Sequence, residues 1–279
     1  MQIEIGARTD MGRVRSNNED NYKVAPEIKL FVLSDGMGGE AHGEVASKIA
    51  VEAIVAHCLD AAKQPSMPLL GDPVPDVSPQ ANRLVSAVRL ANRMIYESSQ
   101  KHPAQRGMGA TIVAAWVQGE RLCIAHVGDS RAYLLRSGEL QQLTQDHSLV
   151  AEQVRRGVLS PQQADESEMQ SVLIRALGIE ENVQVDADEH LLMDGDTILL
   201  CSDGLNRMVT DPEIASTLLI YVSVQSATNR LVELANENGG PDNITIVAFR
   251  VRMEPDGFLA RAWRWLSRPM GSTSSEGGN

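Results

Sequence analysis

The sequence predicts an α+β fold of mainly antiparallel sheets with helices laid against them, and three observations predict it. Short β-branched runs recur along the chain, turn residues join some of them at hairpin spacing, and two longer segments carry helical periodicity. In order, the strand-like runs are "QIEIGAR", "KLFVLSD", "ATIVAAWV", "RLCIAHVG", "RAYLLRSG", "DTILLCSD" and "NITIVAFRV". Gly119 between two runs and Ser137-Gly138 after another mark antiparallel hairpins. Residues 43–62 read as a helix, with Glu44, Lys48 and Glu52 on one face and Ala46, Ile49, Ala50 and Ala53 on the other, so it should lie on a sheet. Residues 78–101 read as a second: Ser78-Pro79 supplies a cap and a first-turn proline, and Leu84, Val88, Ala91 and Ile95 repeat at helical spacing. The intervening "KQPSMPLLGDPVPDVSPQ" is too rich in proline for regular structure and reads as a surface excursion.

Residues 146–176 are more broken, with a second Ser-Pro helix start at Ser160-Pro161, and read as a small mobile insert. From residue 254 the character changes. Leu259, Ala262, Trp263 and Leu266 share one helical face while Arg261, Arg264 and Arg268 lie away from it, and a Gly/Ser stretch follows. Such a segment could rest on an anionic membrane. It is short and has no second membrane anchor, so a terminal helix docked on its own domain, or a partly ordered extension, is the favoured reading.

The 279 residues, 43% hydrophobic and 22% charged, suffice for one large domain or two small ones with a real core. Acidic residues number 37 against 25 basic ones, a net charge of -12 that argues against nucleic acid as a partner and against a metal-dependent nuclease. Cys58, Cys123 and Cys201 lie far apart in apolar segments, form neither a paired framework nor a CxxC zinc pattern, and read as reduced core residues of a cytoplasmic protein. The start "MQIEIGARTD" lacks the basic and apolar regions of a signal peptide, and no apolar run approaches the ~18 residues of a membrane span.

The stretch "FVLSDGMGGEAHGE" places Gly36, Gly38 and Ala41 in a G-x-G-x-x-G/A pattern between a strand and a helix. A dinucleotide does not fit there. Asp35, directly before the first glycine, would repel a pyrophosphate, and the acidic residue required ~20 positions on would fall inside the helix. Instead, acidic residues recur beside turn residues next to strand-like runs: Glu19-Asp20, Asp35-Gly36, Gly128-Asp129, Asp203-Gly204 and Asp242-Asn243. From such positions side chains can project into a shared cleft. Converging carboxylates repel one another and raise each other's pKa, a conflict that a divalent cation resolves. Oxygen donors without a His/Cys set favour Mg²⁺ or Mn²⁺ over zinc.

The motifs "RSNNED", "SDGMGGEAHGEVAS", "GATIV", "HVGDSRAYLL", "LCSDGL" and "GGPDNITIV", in this order, resemble the metal-dependent PP2C/PPM serine/threonine protein phosphatases of bacteria. The resemblance spans about residues 3–252. It implies a four-layer α-β-β-α sandwich, two mainly antiparallel sheets flanked by helices, with the metal cleft at one end and a flap formed by about residues 146–176. By motif position Asp35 would bridge two Mg²⁺ or Mn²⁺ ions, the Gly36 carbonyl would bind one of them, and Asp203 and Asp242 would complete the first ion's protein ligands. Glu19 and Asp20 would either orient water or bind directly. Arg15 matches the arginine that holds the substrate phosphate, and Asp129 matches a ligand of a third, weaker metal site used by some members. Thr111 and Asn243 would support the centre.

The chemistry implied is hydrolysis of phosphoserine and phosphothreonine by in-line attack of a hydroxide held between two ions, with no covalent enzyme intermediate. Phosphorylated proteins would be the substrates and a bacterial Ser/Thr kinase the opposing partner. Two positions depart from the pattern. Met37 stands where animal relatives carry a histidine, leaving the general acid unassigned, and Arg207 stands where many relatives have an acidic residue serving the third ion. His42 and His147 read as structural, and Trp116 as core. A non-catalytic phosphoprotein-binding module on the same fold is the alternative, disfavoured because Arg15, Asp35, Asp203 and Asp242 are all retained.

Overall fold

Every strand-like run of the sequence forms a strand in the computed structural model, which describes residues 1–38, 42–64 and 66–253. The amphipathic segment after residue 253, and Ala41 of the glycine pattern, lie outside the described residues. The chain opens with β1 (Gln2–Asp10), β2 (Asn21–Ala25), β3 (Leu30–Ser34) and the two-residue β4 (Gly36–Met37), followed by helices α1 (His42–Lys63) and α2 (Pro79–Lys101). Next come β5 (Gly109–Ala110), β6 (Ile112–Gln118), β7 (Arg121–Val127), β8 (Arg131–Arg136) and β9 (Glu139–Gln142). Short helices α3 (Leu149–Arg155) and α4 (Pro161–Asp165) precede β10 (Asp186–Leu191) and β11 (Thr197–Cys201). Then α5 (Asp203–Asn206), α6 (Asp211–Ile220) and α7 (Val224–Glu237) lead to β12 (Ile244–Arg252).

Two five-stranded sheets result, in the orders β1-β12-β11-β8-β9 and β10-β7-β6-β3-β2, and every pairing is antiparallel. The period-2 alternation of strands assigns side chains to layers. Phe31, Leu33, Val113, Ala115, Ile198, Leu200, Val247 and Phe249 meet between the sheets, where the Phe31 and Phe249 rings stack at 4.0 Å. Their sequence neighbours Leu30, Val32, Ile112, Ala114 and Trp116 face outward and are covered by α1 and α2. Tyr133, Leu199, Ile244 and Ile246 on the other outer face are covered by α6 and α7. The architecture is therefore the four-layer α-β-β-α sandwich. Because both faces of the central strands are buried, those strands are apolar throughout rather than alternating with polar residues.

Local signals act as read. The Ser78 hydroxyl caps α2 by accepting from the Ala81 N–H at 3.2 Å, and Glu44, Lys48 and Glu52 lie on the exposed face of α1. Ser137 and Gly138 both take positive φ (52° and 89°), the geometry of a two-residue hairpin turn, between β8 and β9. The proline-rich excursion runs along α2, held by Asn82, which both accepts from the Val74 N–H and donates to the Val74 carbonyl. Trp116 is core, its indole N–H donating to the Ile28 carbonyl at 2.9 Å. The three cysteines are buried and unpaired. No described helix is long and apolar enough to cross a membrane.

Candidate active site

The acidic turns of the sequence come together because they sit at one end of the sandwich. Register pairs Asn21 with Ser34, Ile112 with Val127, Asp10 with Ile244 and Arg131 with Cys201, so the C-termini of β3, β7 and β11 and the N-termini of β2 and β12 share an edge. A cleft of about 390 Å³ opens there, and its wall includes Arg15, Glu19, Asp35, Gly36, Thr111, Asp129, Asp203, Asp242 and Asn243. Of the ten residues expected at the site, Asp20 alone is absent from the wall; it is buried behind it, where its Oδ2 accepts from the Ser202 hydroxyl at 2.8 Å.

The glycines after the aspartates permit close backbone approach. A Cβ on Gly36 would collide with the Gly43 carbonyl of α1 and lie 2.7 Å from the Glu19 carbonyl, and one on Gly204 would collide with the Asn243 carbonyl. Gly36 is thus a packing glycine, with no phosphate cradle. Thr111 fixes the turn after β3: its hydroxyl accepts from the Asp35 N–H at 3.1 Å, and its own N–H donates to the Asp35 carbonyl at 2.8 Å. Asn243 ties its own loop to the one between β1 and β2 at three points, accepting from the Glu19 N–H at 2.8 Å and donating to the Met11 and Asn17 carbonyls at 2.9 Å each.

Electrostatically the cleft is a cluster of crowded carboxyls. Burial pushes Asp20 up to about 7, against the pull of hydrogen bonds from Thr245 and Ser202. Burial likewise pushes Asp129 up to about 7, with Asp203 adding to the rise and Arg207 opposing it. Asp35 keeps an open edge to the cleft, yet burial of its carboxyl and the charges of Asp20, Asp203, Asp129 and Asp242 hold it well above the usual carboxylate range. Asp203 and Glu19 are also raised, burial being the main cause in both. Oδ1 of Asp203 and Oδ1 of Asp20 are buried without a hydrogen-bond partner. Unpartnered buried carboxylate oxygens in an all-oxygen donor set fit a hard divalent cation.

Two arginines counter part of this charge. Arg15 donates to Asp242 Oδ2 at 2.8 Å from a half-exposed position at the cleft. Arg207 Nη2 lies 2.8 Å from Asp203 Oδ2 and 3.5 Å from Asp129 Oδ2. Met37 lines the wall, which contains no histidine among the described residues, and His42 stays outside it. Residues 146–176 leave the sandwich, form α3 and α4, and return so that Ser171 and Leu173 complete the wall. Sequence reasoning did not single out these two residues, nor Ser202 and Ser130, whose hydroxyls bond Asp20 and Thr111; both serines lie inside motifs already noted.

A second group of metal-capable side chains, His126, His147 and Asp186, has ligand atoms within 4.8 Å of one another. Asp186 joins the group to Arg175, whose Nη1 donates to Asp186 Oδ1 at 2.6 Å, while His147 Nε2 lies 3.2 Å from Asp186 Oδ2. His147 Nδ1 accepts from the Gly128 N–H at 3.1 Å, so this cluster braces the Asp129 turn against the base of the insert.

The layered sandwich and the carboxylate cleft at its end define a class, α-β-β-α sandwiches with an acidic, oxygen-lined cleft at one end. Within it the chain belongs to the protein phosphatase 2C family, whose sequence profile matches residues 12–239. It is 41% identical over 245 residues to the serine/threonine protein phosphatase PstP of Mycobacterium tuberculosis, covering 88% of this chain and 44% of that protein. It is 37% identical over 243 residues to the serine/threonine phosphatase stp of Listeria monocytogenes, covering 86% and 92%. The chain thus spans less than half the length of PstP and nearly all of the Listeria protein. The crystal structure of PstP matches with a TM-score of 0.79 at 39% identity, over 90% of this chain and 99% of that one. The PstP catalytic domain in complex with two manganese ions matches with a TM-score of 0.76 at 38% identity, again over 90% and 99%.

Proposed function

We propose that this chain is a Mg²⁺- or Mn²⁺-dependent phosphatase that hydrolyses phosphoserine and phosphothreonine in proteins. The carrying observation is the meeting of Arg15 with Glu19, Asp35, Asp129, Asp203 and Asp242 on one cleft wall, with a buried Asp203 oxygen left without a partner. Asp35, Asp203, Asp242 and the Gly36 carbonyl would hold two ions, and Glu19 and Asp20 would orient water or complete the coordination. When bound, the ions supply a hydroxide near neutral pH and neutralise phosphoryl charge.

The remaining roles belong to the chain itself. Arg15, anchored on Asp242, presents a guanidinium fork to phosphoryl oxygens and orients the phosphate beside the acidic cluster. Thr111 and Asn243 hold Asp35 and Glu19 in place through the backbone bonds described above. Met37 has no proton to give, so this side chain does not serve as the acid for the leaving oxygen. Residues 1–252 would form the catalytic domain, with the insert at 146–176 as a flap that reads the substrate. Phosphorylated proteins and a bacterial Ser/Thr kinase that makes them are the expected partners. A cytoplasmic location accords with the buried free cysteines.

The test is Mn²⁺-dependent phosphate release from a phosphothreonine peptide. Turnover that disappears with EDTA and with Asp203→Ala is the expected result. A folded wild type without turnover in either metal would favour a phosphoprotein-binding module instead.

A further inference from the structure

We infer that Arg207 is a built-in cation that occupies the third cation position of the cleft and ties the flap to the helix turn bearing Asp203. This rests on the metal-binding reading of the cleft given above.

The geometry around one nitrogen carries it. Arg207 follows α5, and its N–H donates to the Asp203 carbonyl at 3.0 Å, so the side chain leaves the backbone one turn after Asp203 and folds back over it. Its Nη2 lies 2.8 Å from Asp203 Oδ2 and 3.5 Å from Asp129 Oδ2. The same nitrogen donates to the Gln170 carbonyl at 3.4 Å, in the returning limb of residues 146–176. Two carboxylates and one backbone carbonyl therefore converge on a single positive atom, the kind of oxygen set a hard divalent ion also takes. Among the described residues Arg207 is the only cation ion-paired with Asp129, which is 7% exposed.

A guanidinium differs from an exchangeable ion in two respects that matter here. It brings one charge rather than two, and it is permanent, because arginine stays protonated at any working pH. Arg207 thereby opposes, at every metal concentration, the rise that burial imposes on Asp129, and on this reading two positions remain for exchangeable ions. The hydrogen bond to Gln170 holds the flap limb in the same way, independently of metal supply. Removing the side chain should uncover an oxygen-lined cation site and release the limb.

The experiment counts bound Mn²⁺ by electron paramagnetic resonance of the free ion, on wild type, Arg207→Asp and Arg207→Asp combined with Asp129→Ala, each checked for a cooperative melt. The expected result is two ions for wild type, a third in Arg207→Asp at least tenfold weaker than the others, and two again in the double variant. Arg207→Asn repeats the count if Arg207→Asp does not fold. A third ion in wild type, or none gained in the folded single variants, overturns the inference while leaving the proposed function standing. A wild type that binds no Mn²⁺ overturns both. Hydrogen exchange tests the tether: amides of residues 166–174 should exchange severalfold faster in Arg207→Gln, and unchanged exchange would refute it.

Discussion

Arg15 makes a structural contact at the cleft and, in the proposed function, a chemical one as well. Its guanidinium donates to Asp242 while remaining half-exposed at the cleft, and the proposed role depends on the geometry of the fork as well as on charge. Arg15→Lys keeps the charge and loses the fork. Steady-state kinetics on a phosphopeptide should then show KM rising roughly tenfold, with a smaller change in kcat and an unchanged Mn²⁺ count. Gly36 makes a different demand. Backbone carbonyls from Gly43 and Glu19 crowd the place a Cβ would fill, and neither can swing aside as a flexible side chain would. Gly36→Ala should cost about 3 kcal/mol, read as a lower urea midpoint at constant m-value.

At the scale of elements, strands with the clearest sequence signal are those buried on both faces. β3, β6, β7, β11 and β12 are apolar runs because helices cover one side and the opposing sheet the other. β2, β9 and β10 drew no notice in the sequence, and all three are edge strands, where polar residues such as those of "ELQQ" and "DADEHL" discourage pairing with other chains. Helices α6 and α7 were also not anticipated. The cap of α2 was, and it predicts that Ser78→Ala destabilises the protein by about 1 kcal/mol, measurable by denaturant melting. The insert keeps its register through the Leu149 and Ile174 N–H groups, which donate to Val172 and His147 at 2.8 and 2.9 Å. Val158, Met169, Val172 and Ile174 of the insert are exposed.

For the whole molecule, the cleft trades stability for charge. Folding raises Asp20 and Asp129 from near 3.8 to about 7 and holds Asp35 well above its ordinary range, so the folded state binds more protons than the unfolded one above pH ~4. Stability from Asp20 and Asp129 is fully present below pH ~4 and is lost as pH rises through about 7. In the proposed function, divalent ions would substitute for the missing protons. Thermal melting should therefore show the metal-free protein losing stability between pH 5.5 and pH 8, and Mn²⁺ raising Tm more at pH 8 than at pH 5.5. An equal Mn²⁺ effect at both values would mean that the carboxyls are ionised independently of the metal.

The sequence by itself determined the α+β class, the family and the candidate residues, because the apolar patterning of strands, turn chemistry and the six ordered motifs are local properties. Tertiary structure decided what spacing could not. Only the register of two separate sheets puts Glu19, Asp35, Asp129, Asp203 and Asp242 on one wall, and only burial behind that wall separates Asp20 from Glu19, its neighbour in sequence. Arg207 is the clearest case. In sequence it is a departure from an acidic pattern; in the fold its guanidinium reaches two carboxylates, and Asp129 comes from a turn 78 residues away in number but 3.5 Å away in space. Electrostatic partnership depends on distance and burial, and neither is a property of chain order.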